Sequence, residues 1–508
     1  MSLLGIDVGT TGCKTAAFAL DGRCLASAYR EYAPRAPRPG WVELDSEAVF
    51  EQVRSAIAEV AAEASSDPIT AIGISSMGEA ATPVSADRQV LGPCILMSDT
   101  RGGEYVRQLE EALGQQSFYA INPNILAPSY TMPKLCWLRD HQPALYRRAD
   151  AFLLWADLVA LLLGGRAVTN YSLANRTLLF DLRRQDWSDE LLAASGLHRE
   201  KLAPCVASGT VAGTVSPAMA NELHLPRDVA IVVGGHDQCC NALGAGIVRS
   251  GRAVCGIGTY ECIAPVYDRI PDDAFLIAHG LNVEHHVLPG LYVSFLYNQS
   301  GSLVRWFRDT FAAADRDATP AGEDLYDRLA REMPDGPTSL VTLPHFEVTG
   351  PPRFTADSAG VIAGLRTHTT RGEVLKSIME SVTFYLAEGV EALRAMGIDV
   401  SEFLATGGGA RSDAWLQIKA DVFGVPFVRP RVTEASTLGA AILAGLATGA
   451  LAGPDEAAER FVHRERVFDP NPARHRIYQD RLAHYQRLFP LLQEFLADLK
   501  PPLPNARR

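Results

Sequence analysis

The chain has 508 residues, 47% of them apolar and 21% charged, with a formal net charge of −12. Such a length suits two to four domains with substantial cores, and an acidic balance without any basic run argues against nucleic acid as the main partner. The nine cysteines are odd in number, scattered through apolar runs and free of C-x-x-C spacing, which fits reduced thiols in a cytoplasmic protein rather than a disulfide framework or a zinc site.

The N-terminus enters a strand directly, with no basic segment followed by an apolar one. Leu3 to Val8 is apolar apart from Asp7, and a Gly9-Thr10-Thr11-Gly12 turn, Lys14 and a second apolar strand (Ala16 to Leu20) follow. Glycines 9 and 12 let a backbone approach a bulky anion, Thr10 and Thr11 donate to phosphate oxygens, and Lys14 adds a point charge. Asp7, at a strand end, suits Mg²⁺ held through water. The turn joins two strands, so it is not a Walker loop; the plain alternative is a hairpin turn. Asp21-Gly22 marks a second hairpin, giving three short strands over residues 3–29. Asp45 or Ser46 caps a helix running to about Ala64, with Val49, Val53, Ile57 and Val60 at helical spacing, and a strand follows over Ile69 to Ser75. Beyond it lie Gly78, Glu79 and Ala80, and later Asp99 and Arg101, which suit the polyhydroxyl face of a sugar or form a surface ion pair. Ala151 to Gly165 is the longest apolar stretch, contains Asp157, and is too short to span a bilayer.

Ile231 to Val233 reads as a buried strand that ends in Gly234-Gly235-His236-Asp237-Gln238. At such a strand end Asp237 is a general base for a hydroxyl, or else the N-cap of the next helix. Gln238 is a hydrogen-bond partner for a substrate, and His236 a packed residue. Small residues cluster over 245–252, which sets the expected boundary between domains 1–247 and 248–508. Ala253 to Tyr260 then echoes the N-terminus: strand, Gly256-Ile257-Gly258-Thr259, strand. A strand at Phe403 to Thr406 leads into Gly407-Gly408-Gly409, a helix from about Ser412, a strand at 427–429 and an Ala-rich helix from about Thr437. The halves are expected to be two similar domains facing across a cleft that a nucleotide closes. Pro501 to Pro504 is expected to fray.

In their order, these segments resemble the FGGY family of carbohydrate kinases, within the actin-like ATPase superfamily, over roughly residues 3 to 450. Asp7 to Lys14 is similar to the family's first phosphate loop, Gly256 to Thr259 to its second, Gly234 to Gln238 to the segment of its catalytic aspartate, Asn298 to Trp306 with Gly301 to a segment near the terminal phosphates, and Ala405 to Asp413 to its adenosine loop. Tyr130 to Leu138, and Gly360 to Leu365 through Glu373, match two longer family patterns. The resemblance implies an α/β fold of two actin-like (ribonuclease H-like) domains, each a mixed sheet flanked by helices, with the active-site cleft between them. It implies ATP and Mg²⁺ as cofactors, with Asp237 catalytic and Asp7 and Asp237 toward the metal. Thr10, Thr11, Lys14, Gly258, Thr259, Gly301, Gly408, Gly409 and Ser412 are implied for the nucleotide, and Gly78, Glu79, Asp99, Asp237 and Gln238 for the acceptor. A small sugar or polyol is the expected partner, with neither nucleic acid nor membrane, and homodimerisation is allowed.

The acceptor pattern departs from the family's known types. Xylulose kinases carry Met-His-Gly and glycerol kinases Arg-Glu-Thr where this chain has Gly78-Glu79-Ala80, and Met97 replaces a tryptophan of xylulose kinases. The expectation is phosphorylation of a primary hydroxyl of an open-chain sugar, nearest to D-xylulose giving D-xylulose 5-phosphate. The alternatives are another ketose or polyol (glycerol, a tetritol, a pentitol) and, from another class, an actin-like ATPase switch or a sugar sensor without phosphotransfer.

Overall fold

The structure is a computed structural model and describes residues 1–320, 323–432 and 434–499; the Pro501 to Pro504 tail lies outside them. Two sheets carry the fold. In the first half the strands are Ser2–Val8 (β1), Gly12–Ala19 (β2) and Cys24–Glu31 (β3), followed by helix Ser46–Glu63 (α1) and strand Ile69–Ser76 (β4). Asp45 caps α1 by accepting the Ala48 N–H at 3.0 Å, and the buried stripe of Val49, Val53, Ile57 and Val60 faces the sheet. The long apolar stretch after residue 151 divides into a strand, Ala151–Leu154, and a buried helix, Trp155–Leu163. Between them and β4 lies helix Thr131–His141 (α2). The half closes with Val211–Thr214 (β5), Ala230–His236 (β6) and helix Asp237–Gly244 (α3).

The second half begins with the hairpin Arg252–Ile257 (β7) and Tyr260–Tyr267 (β8), then the short strands Glu284–His285 (β9), Tyr292–Val293 (β10) and Leu296–Gln299 (β11), and helix Gly301–Phe311 (α4). Helix Arg371–Ala395 (α5) opens on a capping box between Thr370 and Glu373. Glu402–Thr406 (β12), helix Asp413–Phe423 (α6), Phe427–Pro430 (β13), helix Ala435–Ala447 (α7), Arg464–Phe468 (β14) and helix Pro472–Asp498 (α8) complete the fold. No helix among the described residues is long and apolar enough to cross a membrane.

The sheets repeat one design. The first runs β5-β6-β4-β1-β2-β3, and the second runs β9-β10-β8-β7-β12-β13-β14 with β11 also paired to β8. Outward from each Gly-Thr hairpin the pairings are antiparallel (β2/β1, β8/β7), parallel (β1/β4, β7/β12), parallel (β4/β6, β12/β13) and antiparallel (β6/β5, β13/β14). The weak echo in the sequence is therefore a repeated topology. Parallel strand ends bring the Gly-rich turns and the His236-Asp237 corner to one edge, where α/β proteins assemble sites.

Helices α3 and α7, each following the last of the three parallel strands of its repeat, cross at the interface. A Cβ on Gly244 would lie 1.9 Å from the Ala435 carbonyl oxygen, and one on Gly439 would lie 1.9 Å from that of Cys240. The two contacts are reciprocal and only glycine permits either. Helix α7 also lies against the first sheet: a Cβ at Gly5 would be 1.8 Å from Thr437 O, and one at Gly73 1.9 Å from Ala440 O. Gly5 and Gly73 are register partners on β1 and β4, so together they make a trough for α7. One core cluster lies in the first half and another almost wholly in the second, while a third joins Leu3, Phe18 and Val232 to Val254, Leu438 and Phe461.

Candidate active site

Both Gly-Thr turns are built as backbone cradles. In the first, Gly9 N–H donates to Gly12 O at 3.0 Å and the Tyr32 hydroxyl donates to Gly9 O at 2.7 Å, leaving Thr11 exposed and Thr10 half-buried. Lys14 Nζ is 2.8 Å from Glu434 Oε1, just ahead of α7. In the second, Gly258 and Thr259 are exposed, and the start of α4 packs directly on them. Gly301 N–H donates to Gly258 O at 3.1 Å, Ser302 N–H donates to Thr259 O at 3.2 Å, and a Cβ on Gly301 would lie 2.4 Å from Gly258 O. Behind this turn Glu261 accepts Ser300 Oγ at 2.9 Å and pairs with the fully buried Lys419 of α6. At the third glycine segment, Gly407 takes φ +79° and Gly409 packs on Ile257, while Gly408 faces open space. Ser412 caps α6 by accepting Trp415 N–H at 3.3 Å.

Two carboxylates share the corner between the halves. Asp7 is half-buried near the end of β1 and accepts Ser75 Oγ at 2.9 Å. Burial, with the Asp237 carboxylate adding to it, pushes the Asp7 pKa up to about 7. Asp237 is the first residue of α3 and not its cap. His236 is the cap, its Nδ1 accepting Gln238 N–H at 3.2 Å. That Nδ1 also lies 3.0 Å from Asp237 Oδ1, and burial lowers the imidazole pKa while the carboxylate raises it on balance; in the neutral tautomer that accepts from Gln238, Nδ1 has no proton to give. Asp237 Oδ1 is therefore buried without a hydrogen bond, and so is Gln238 Oε1. Such groups need a ligand or an ion to satisfy them. A carboxylate pair with free oxygens beside two phosphate-type cradles fits Mg²⁺, which takes one or two carboxylates and otherwise water or phosphate. Among the described residues there is no denser cluster of metal-binding side chains.

The third group surrounds Glu79, which follows β4 in the left-handed region at φ +62°, unusual for a residue with a side chain. Its Oε1 accepts Arg176 Nε at 2.6 Å and also pairs with Nη2. Arg176 Nη1 in turn donates to Glu284 Oε1, on β9 of the second sheet, at 2.8 Å. Tyr130 and Phe295 cover the guanidinium at 4.7 and 5.5 Å from their ring centres. Asn175 bonds Glu284 Oε2, and Asn282 donates to Glu284 Oε1 at 2.8 Å. Gly78 ties this cluster to the corner: a Cβ there would lie 2.9 Å from His236 Cδ2 and 3.2 Å from Arg176 Cγ.

Asp99 is also buried, so its pairing with Arg101 is not a surface ion pair. Its carboxylate accepts the N–H groups of Val42 and Arg101 at 2.6 and 2.8 Å and the Arg101 guanidinium at 2.6 Å. Burial pushes the Asp99 pKa upward, but Arg101 and these N–H groups outweigh it and hold the carboxyl below its usual range. Arg101 further pairs with Glu43 at 2.7 Å and lies 4.0 Å over the Trp41 ring. Arg176 and Glu284 were not among the residues expected from the sequence. A signal for both was present: each is a lone charge among apolar and amide residues, in Leu173-Ala174-Asn175-Arg176 and Asn282-Val283-Glu284.

Two repeated α/β domains, phosphate-type turns from both and a carboxylate corner between them define the actin-like phosphotransferase class. The FGGY carbohydrate kinase N-terminal domain matches residues 2–244 and its C-terminal domain residues 276–448. The chain belongs to the FGGY family of carbohydrate kinases, and it is an ATP-dependent sugar kinase. It is 28% identical over 501 residues to a xylulose kinase of Staphylococcus epidermidis, covering 98% of each chain. It is 26% identical to a gluconokinase of Bacillus subtilis, covering 96% of this chain and 94% of that one. The solved xylulose kinase of Rhodospirillum rubrum superposes with a TM-score of 0.87 at 27% identity, over 98% of this chain and 100% of that one.

Proposed function

We propose that the enzyme transfers the terminal phosphoryl group of ATP to a primary hydroxyl of a small open-chain sugar, with D-xylulose the first candidate and Asp237 the general base. The observation that carries this reading is the buried, unpartnered Asp237 Oδ1 beside Asp7 at the junction of the halves. Asp237 accepts the hydroxyl proton as that oxygen attacks phosphorus, and Gln238 Oε1 accepts a hydrogen bond from the acceptor. Thr10, Thr11 and Lys14 on one side, and Gly258, Thr259 and Gly301 on the other, hold the phosphates. Gly408, Gly409 and Ser412 form the wall for adenosine. Asp7 and Asp237 would hold Mg²⁺, which, when bound, neutralises charge on the phosphates. Glu79 and Gly78 face the acceptor; Asp99, expected to contact it too, has both carboxylate oxygens taken up by Val42 and Arg101 and instead fixes the loop beside them. Nine free cysteines fit a reducing cytoplasm.

A polyol is the second reading, favoured by Glu79, which offers its second carboxylate oxygen to hydroxyls and cannot donate to a carbonyl. The test is ADP release across pentuloses, hexuloses, tetritols, pentitols and glycerol. Stimulation by a pentulose supports the first reading and stimulation by a polyol the second. ATP hydrolysis indifferent to every acceptor rejects both in favour of a switch ATPase.

A further inference from the structure

The relatives are named for a neutral sugar in one case and for gluconate, an anion, in another. The charges beneath the acceptor site separate these. We propose that Arg176, held between Glu79 and Glu284, restricts this enzyme to uncharged polyhydroxy acceptors and excludes aldonates; the inference rests on the acceptor site proposed above and names its substrate class.

An aldonate needs a cationic donor for its carboxylate. Arg176 is the guanidinium at this site, and it is already committed: Nε and Nη2 go to Glu79, and Nη1 to Glu284. All three side chains are buried, with relative exposures of 0 to 5%. Two carboxylates against one guanidinium leave the cluster one negative charge, and Asp237 adds another, offset in part by the neighbouring His236, whose pKa burial lowers but Asp237 and Glu79 raise on balance. A further carboxylate brought here meets net repulsion with little water to screen it. A hydroxyl instead finds acceptors in the free oxygens of Glu79, Asp237 and Gln238. Tyr130 and Phe295 pin the guanidinium plane, so it does not swing free to meet an anion. Because Glu284 comes from the second sheet, Arg176 is tied to both halves and its position is set by the whole fold.

The experiment compares D-xylulose, xylitol, erythritol and glycerol with D-gluconate on the full chain, by calorimetric binding and separately by ADP release. Wild type is expected to bind gluconate at least ~100-fold more weakly than its best neutral compound, the ratio that a few kilocalories of like-charge repulsion produce. Glu284→Gln, which releases Nη1, is expected to narrow that ratio at least ~10-fold by strengthening gluconate. If Glu284→Gln does not fold, Glu79→Gln releases Nε and Nη2 and serves in its place. A wild-type gap under ~100-fold, a ratio unchanged in the folded variant, or no binding by any neutral compound overturns the proposal. Neutral compounds that bind with the expected gap but release no ADP leave the charge rule standing and reject phosphotransfer. Gluconate turned over as well as xylulose does the reverse.

Discussion

Keeping a buried carboxylate oxygen without a partner costs about 1–3 kcal/mol, and Asp237 Oδ1 is held that way next to the Asp7 carboxyl. Strain of this kind collects where chemistry is done. Asp237→Asn is accordingly expected to raise the thermal midpoint of the ligand-free enzyme while lowering kcat by ~10²-fold or more. Differential scanning fluorimetry and initial rates check the two halves of that statement, and turnover within threefold of wild type rejects the base. Glu79 is strained in its backbone rather than its charge, at φ +62°. Glycine accepts that conformation freely and alanine at a cost of about 1–2 kcal/mol. Glu79→Gly should therefore be more stable than Glu79→Ala in urea, yet both should lose at least ~5-fold in kcat/KM for the sugar with little change in the KM for ATP. Asp237 and Glu79 were legible because each follows a strand that ends in small residues. Arg176 was not, because its partners stand 97 and 108 residues away, and no local pattern encodes such a pairing.

Among the elements, the most constrained are the strands and helices that meet through glycine. Placing a methyl group within 2 Å of a carbonyl oxygen forces a whole helix to move. Gly5→Ala and Gly439→Ala are each expected to destabilise by about 1–3 kcal/mol, while Gly336→Ala, with nothing within 4 Å of its added carbon, should stay within about 0.5 kcal/mol of wild type. Urea unfolding followed by tryptophan fluorescence distinguishes them. Helix α2 carries a buried lysine, Lys134, which bonds the Asp99 carbonyl and donates to the Arg101 carbonyl at 3.1 Å. Burial lowers its pKa to about 8, so between that pH and about 10.4 the unfolded chain holds the proton more tightly than the folded one. The stability of wild type relative to Lys134→Met should be flat below pH 8 and rise through that window; a difference that falls with pH refutes the assignment. Strands β1 to β4 and helix α1 follow from short apolar runs, an Asp-Gly turn and an Asp cap, all of them local. That α7 leaves its own half to lie on β1 and β4 was not legible, because its Ala-rich sequence fits any close-packed face.

At the scale of the molecule, the repeat is plain in the pairing of strands and faint in the residues. The turns kept glycine and threonine, but positions that pack differently diverged: Gly5 and Gly73 pair on β1 and β4, whereas Val254 and Leu404 pair on β7 and β12. The proposed acceptor site likewise draws on both halves, since Arg176 meets a carboxylate from each. The trough of Gly5 and Gly73 has a consequence for how the protein is made. Its occupant, residues 435–447, leaves the ribosome on the order of twenty to seventy seconds after the strands that need it, at roughly 5–20 residues per second. Throughout that interval the nascent first half shows a bare apolar floor, so it is a natural client for a holding chaperone and a poor candidate for independent expression. Residues 1–247 produced alone are expected to aggregate, and co-production with residues 248–508 to restore soluble, sugar-dependent ADP release. A soluble, monomeric 1–247 fragment with native-like circular dichroism would show that the first half closes without its late-arriving helix.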